Sequence, residues 1–204
     1  MHCFSHEDLL NMEKPRRTAL MNGLSGFRSA VLVGTANQQG VPNLAMFFST
    51  IHIGANPPLM GLLLRPPAAR QHTRDNLFAT RQFTINAVSA KFYRQAHATE
   101  QRLPAEESEF VACGLTPNYW PDFLAPAVAE SPIRIGLQLQ EHYDIASNQT
   151  TLVIGSVQHV EIESELLGDD GHLRPDRARL VCVGDLETYY EPQHVERITN
   201  SCHQ

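Results

Sequence analysis

Two long extended runs, residues 133–145 and 150–163, flank Ser147-Asn148-Gln149 and constrain this chain more than any other feature. Together they predict a hairpin of two long antiparallel strands. Shorter extended segments precede it. Residues 29–36 mix β-branched and small side chains, and Asn37-Gln38-Gln39-Gly40 supplies a turn whose glycine is free to take positive φ. Residues 43–53 then resume extended structure, which makes another hairpin. Asn56-Pro57-Pro58 removes two backbone donors, so it belongs at a sheet edge or in a loop. Residues 59–64 read as a buried strand, 83–88 as an alternating one and 180–183 as the last. Helical patterns fall between them: 7–24 interrupted at Pro15, 68–80, a Ser89-capped helix through 98, and a short piece over 175–179. Residues 107–114 show no decisive pattern. Pro117, Pro121, Pro126 and Pro132 keep regular structure brief between the last two groups, and Asp169-Asp170-Gly171 marks a further turn. Strands of uneven length with inserted helices and no βαβ rhythm predict a mainly β, closed antiparallel barrel with excursions.

At 204 residues the chain suits one barrel domain spanning 1–204, with residues 1–25 as an N-terminal helical segment and 186–204 as a C-terminal tail. A formal net charge of −6, without a basic stripe, argues against a nucleic-acid partner. The N-terminus carries acids early and lacks the apolar core of a secretory signal. The most apolar run, 59–64, is far below the roughly 18 residues a membrane span needs, so no membrane partner is expected. Cys3, Cys113, Cys182 and Cys202 are scattered, with no metal or redox-pair spacing, and suit a reducing, cytoplasmic setting. There is no glycine-rich dinucleotide loop, no P-loop, no H-E-x-x-H and no nucleophile elbow. Zinc-enzyme and hydrolase chemistry therefore starts with little support.

What remains is the segment from Asn43 to Asn86. The strand containing Met46, Phe47, Phe48, Ser49, Thr50 and Ile51 leads through Pro57-Pro58 into an apolar strand that ends on Arg65. A helix with a polar first turn, His72-Thr73-Arg74-Asp75-Asn76, comes next. Such an order describes a flat, partly apolar slot with a cationic corner sized for a phosphate, which suits flavin mononucleotide (FMN). Arg65 needs either a structural ion pair or an anionic ligand. Thr73 can cap its helix, and the exposed first turn can also offer N–H groups to a phosphate. Ser49 and Thr50 are equally readable as strand hydroxyls, and Met46 and Phe47 as core.

The same order resembles the flavin reductase-like, FMN-binding split β-barrel family over nearly the whole chain. Gly34-Thr35 through Asn43-Leu44-Ala45 resembles the family's opening hairpin, which ends in Asn-x-Ala-Pro. Pro57-Pro58-Leu59 resembles its Pro-Pro-hydrophobic turn, His72-Thr73-Arg74-Asp75-Asn76 its Asp-Thr-x-x-Asn helix start, and Phe83-Thr84-Ile85-Asn86 its Phe-x-x-Asn strand. Ser108-Glu109-Phe110, Gly114-Leu115-Thr116-Pro117, Glu130-Ser131-Pro132 and Thr188-Tyr189-Tyr190 follow in family order. Met46 stands for the usual proline, His72 for the usual acid, His97 for a frequent asparagine, and Asp185 where many members carry arginine.

The resemblance implies an antiparallel, Greek-key-like split barrel with a few helices, a homodimer, and FMN near the subunit interface. It implies that Asn43 opens the site and that the backbone at Met46–Phe47 and at residues 49–51 edges the flavin ring. Arg65, His72, Thr73 and Asn76 would lie near the phosphate, and Phe83 and Asn86 would line the pocket floor. NADH or NADPH would be the electron donor; free flavin, oxygen or a partner oxygenase would be the acceptor. No side chain is needed as acid or base, because the flavin carries the redox chemistry. An FMN carrier without nicotinamide turnover, and a flavin-free barrel, are the alternative readings.

Overall fold

The computed structural model describes residues 1–67, 72–101 and 107–198. Two helices open the chain, α1 (His6–Asn11) and α2 (Lys14–Leu24), followed by β1 (Arg28–Ser29) and β2 (Val31–Ala36). Ser5 and Asp8 cap α1 reciprocally. The predicted interruption lies just ahead of Pro15, which sits in the first turn of α2, where its missing N–H costs nothing. Next come β3 (Pro42–Phe47), β4 (Thr50–Ala55), β5 (Pro58–Leu64), α3 (His72–Thr80) and β6 (Gln82–Ala87). Then α4 (Tyr93–Ala98), α5 (Glu109–Ala112), β7 (Pro117–Asn118) and β8 (Ala127–Val128) precede the long pair β9 (Ile133–Ile145) and β10 (Thr150–Ile162). The short strand β11 (Cys182–Val183) pairs with β1 on one side and with β12 (Tyr189–Tyr190) on the other in a small separate sheet.

The main sheet is antiparallel throughout, in the order β3-β2-β6-β9-β10-β5-β4. Its two edge strands, β3 and β4, are consecutive in the chain. Phe48 and Ser49 join them, and Ser49 clasps Leu63 of β5: Leu63 N donates to Ser49 O (3.1 Å) and Ser49 Oγ donates to Leu63 O (2.8 Å). The sheet thereby curls into a barrel closed by a joint rather than a continuous ladder, and the outer edge of β3 stays split from its neighbour. This is the split β-barrel that the resemblance implies; the strand pattern alone predicts a closed antiparallel barrel.

Alternation along β2 and β3 feeds two apolar clusters. Val33, Leu62, Leu64, Leu77, Phe83, Ile85 and Leu137 fill the barrel. Leu32, Leu44, Met46 and Phe48 face the other way, against Phe92 next to α4, Phe110 of α5 and Val183 of β11.

Several expectations need correction. Residues 43–53 are two strands, not one, because the closure joint breaks the ladder at Phe48-Ser49. The helix expected over 68–80 is seen as His72–Thr80; residues 68–71 lie outside the described ones. Ser89 caps no helix. It is buried in a bridge to Leu180, and α4 begins four residues later, behind Phe92. Residues 175–179 form turns, with Arg179 at φ 53°, instead of helix. The last strand shrinks to Cys182–Val183, and the expected tail contains β12.

Candidate functional site

The unpaired edge of β3 is the floor of a cleft of about 570 Å³. One wall belongs to the barrel: Leu63 and Leu64 at the end of β5, Arg65 beyond it, and His72, Thr73 and Arg74 from the first turn of α3. The other wall is built on the outer cluster: Arg28, Thr99, Glu100 and Gln101 after α4, Glu109 of α5, and Leu186. The floor offers backbone groups. Leu44 N donates outward to Glu109 Oε2 at 3.2 Å, and strand alternation aims the Met46 peptide at the same free side. Met46 and Phe47 both line the cleft, as does Ser49, whose hydroxyl is already spent on Leu63.

Arg65 is exposed and makes no hydrogen bond or ion pair to any described residue. Arg74 differs. Its Nη1 donates to Thr151 Oγ1 (2.9 Å), its guanidinium lies over the Phe78 ring (5.1 Å), and Asp144 stands 4.0 Å away. Arg28 reaches the opposite wall through the pairing of β1 with β11 and donates from Nη2 to Asp185 O (2.8 Å). Its buried Nε has no partner among the described residues.

Of the twelve residues expected at the site, Asn43, Met46, Phe47, Ser49, Arg65, His72 and Thr73 come together in this cleft. The other five do not line it. Phe83 is fully buried in the barrel, with Gly155 pressed against its ring, and cannot be a pocket floor. Asn86 is equally buried. Its amide donates to Leu32 O (3.0 Å) and Thr84 Oγ1 (2.8 Å) and accepts from Val128 N (2.9 Å), so it ties strands together. Asn76 is turned inward, with its amide on Thr35 Oγ1 (3.3 Å). Thr50 and Ile51 lie past the joint on edge strand β4, where Ile51 is 42% exposed. Sequence reasoning missed Arg28, Arg74, Glu100 and Glu109. Arg74 and Glu109 carried a signal, inside His72-Thr73-Arg74-Asp75-Asn76 and Ser108-Glu109-Phe110.

Behind the outer wall, Tyr189 Oη meets His97 Nδ1 at 2.9 Å. Burial, then the Glu100 and Tyr93 charges, push the Tyr189 hydroxyl up to about 12. The fold thus favours neutral Tyr189. Its contribution is complete below the unfolded value of about 10 and is lost as pH rises toward about 12. A tyrosinate absorbance titration should show a step near pH 12 that Tyr189→Phe removes; an unchanged curve contradicts this assignment.

Among the described residues no group of acids, histidines and cysteines is placed to hold a metal, and no helix is long and apolar enough to cross a membrane.

A split barrel with a cleft along its open strand edge defines the class, and comparison with known proteins gives the family. The model for the flavin reductase like domain matches residues 24–177, and the chain belongs to that family. Over 98% of this chain and 100% of the other, it superposes with TM-score 0.93 and 41% identity on a structure from Shewanella frigidimarina NCIMB 400, described as a candidate flavin reductase with a split barrel domain. Nitrilotriacetate monooxygenase component B from Bacillus cereus shares the fold at TM-score 0.86 and 21% identity, over 97% of this chain and 98% of that one. An FMN-binding protein from Thermus thermophilus shares it at TM-score 0.71 and 18% identity, over 85% and 90%.

Proposed function

We propose that this protein is an FMN-dependent NAD(P)H oxidoreductase of the flavin reductase type, working as a homodimer. The observation that carries the reading is the pairing of an open peptide edge, at Met46, with Arg65, a cation that has no partner among the described residues, across one cleft. The residues present fit the cofactor. A cleft of about 570 Å³ is of ligand size, and its lining mixes apolar side chains with a few convergent polar groups. The Met46 peptide can meet the polar rim of a flat ring, while Arg65 and Thr73 can hold a phosphate. When bound, FMN supplies hydride acceptance from a nicotinamide and onward electron transfer.

The chain's own residues then bind and orient. Phe47, Leu63 and Leu64 give the barrel wall its apolar surface, Met46 fixes the ring edge, and Arg65 fixes the phosphate end. Glu109 holds the neighbouring Leu44 N–H, so the peptide left open on that side of the floor is the one at Met46.

The monooxygenase component among the fold neighbours supports a partner oxygenase as acceptor, beside free flavin or oxygen. Exposed Ile51 and Ile53 on the β4 edge, with Leu10, Met21 and Leu24 on helices that bury nothing, support a second copy as partner. Light scattering should give twice the 22.8 kDa chain mass. The cytoplasmic setting belongs to the same proposal, on the charge and cysteine pattern of the sequence.

The purified protein should be yellow, release FMN on denaturation, and bleach anaerobically with NADH or NADPH. A protein that takes up FMN but oxidises neither nucleotide is a carrier. One that binds no flavin removes the whole reading.

A further inference from the structure

Asn43, Thr35, Thr73 and Asn76 form one polar knot between β2, β3 and the first turn of α3. Thr35 and Asn43 face each other in the β2–β3 register, and both are buried, at 0% and 7% exposure. Asn43 Nδ2 donates to Thr35 Oγ1 at 3.1 Å and to Thr73 Oγ1 at 2.9 Å. Asn76, one turn beyond Thr73 on the same helix face, sends its Nδ2 to the same Thr35 oxygen. A primary amide has two N–H donors, and both of those on Asn43 are spent inside the protein. Asn43 has none to give a ligand, although it borders the cleft.

Thr73 is in the opposite position. A hydroxyl has one proton to donate, and here a lone pair is already taken by Asn43. Among the described residues nothing accepts the Thr73 proton, and the residue lines the cleft close in sequence to Arg65. The direction of the inner bond therefore sets the sign of the outer one. If Thr73 gave its proton to Asn43, it would turn lone pairs toward an anion; receiving from Asn43, it turns a proton.

We propose that Asn43 is a positioning residue: its amide directs the Thr73 hydroxyl proton into the cleft, making Thr73 a donor to the phosphate of FMN. The proposal rests on the flavin reading above and deepens it.

The test compares FMN with riboflavin, which has the same ring and no phosphate. Dissociation constants are read by flavin fluorescence for wild type, Asn43→Asp, Thr73→Val and the double variant. A carboxylate at position 43 accepts the Thr73 proton and reverses the knot. Asn43→Asp should weaken FMN by about tenfold and leave riboflavin within about twofold. Thr73→Val should do the same, Thr73→Ser should restore the preference for FMN, and the double variant should lose no more than either single one. Equal weakening of both flavins would show a purely structural Asn43 and overturn the proposal. An Asn43→Asp loss that persists undiminished in the Thr73→Val background would show direct repulsion by the new charge, and would overturn it too. Should Asn43→Asp fail to fold, Thr73→Val alone decides, because an unchanged FMN-to-riboflavin ratio leaves the hydroxyl without a role. A wild type that binds neither flavin removes the parent reading instead.

Discussion

Replacing Gly34 with alanine will lower the unfolding midpoint by about 10 °C, from a loss of about 3 kcal/mol. Gly34 lies in β2, between β3 and β6, and a Cβ there would overlap the Pro126 carbonyl oxygen and sit 2.6 Å from Thr84 Oγ1. Neither neighbour can move away cheaply. Thr84 Oγ1 accepts from Gly34 N (3.2 Å) and Asn86 Nδ2 (2.8 Å) and donates to Pro126 O (2.7 Å). Pushing Pro126 outward breaks that set and leaves buried polar groups unpaired. The loss thus adds overpacking to lost hydrogen bonding. Gly23 near the end of α2 makes the contrast. Its added Cβ meets only Gly184 O, at an ordinary 3.6 Å, so Gly23→Ala should be neutral or raise stability by up to about 1 kcal/mol. Thermal unfolding of the two variants checks both signs, and a Gly34→Ala midpoint equal to wild type would refute the packing argument.

These contrasts show what was legible in the sequence and what was not. The run 133–145 became β9 with the same bounds, because a two-residue period over that length fits nothing else. The turn at Gly40 formed as expected, at φ +81°. Local pattern failed where a distant residue decides. Nothing in residues 43–53 marks a break. It appears because the chain leaves the β2 ladder after Phe47 and joins β5 from Ser49 onward, opposite Leu63. Ser89 carries a capping side chain, yet a bridge to Leu180 takes it into the core. Phe83 and Asn86 fall on opposite faces of β6, so one fills the barrel and the other knots its outer side, and neither reaches the cleft. Arg28 enters the site only because β1 pairs with β11, a contact between the two ends of the chain. Within the site, the motifs located the floor and the barrel wall, whereas the outer wall comes from segments whose proximity only the folded chain creates.

Arg65→Ala should weaken FMN about tenfold while leaving riboflavin binding and thermal stability unchanged. A charge-assisted contact is worth about 1.5–3 kcal/mol, and the lower end applies because Arg65 is exposed and its field is screened. About 1.5 kcal/mol converts to about tenfold in affinity. The absence of any described protein partner makes this substitution clean: no buried carboxylate is stranded and no packing is lost. Arg74→Ala would not be clean, since it also removes the bond to Thr151 and the stacking over Phe78. The salt dependence gives an independent check. The wild-type advantage over Arg65→Ala should shrink between low salt and about 1 M, where the Debye length falls to about 3 Å. Riboflavin affinity should not follow it. If the variant loses both flavins alike, Arg65 shapes the cleft rather than meeting a phosphate; if it loses neither, the anion corner lies elsewhere and the orientation assigned to the cofactor along β3 must be reversed.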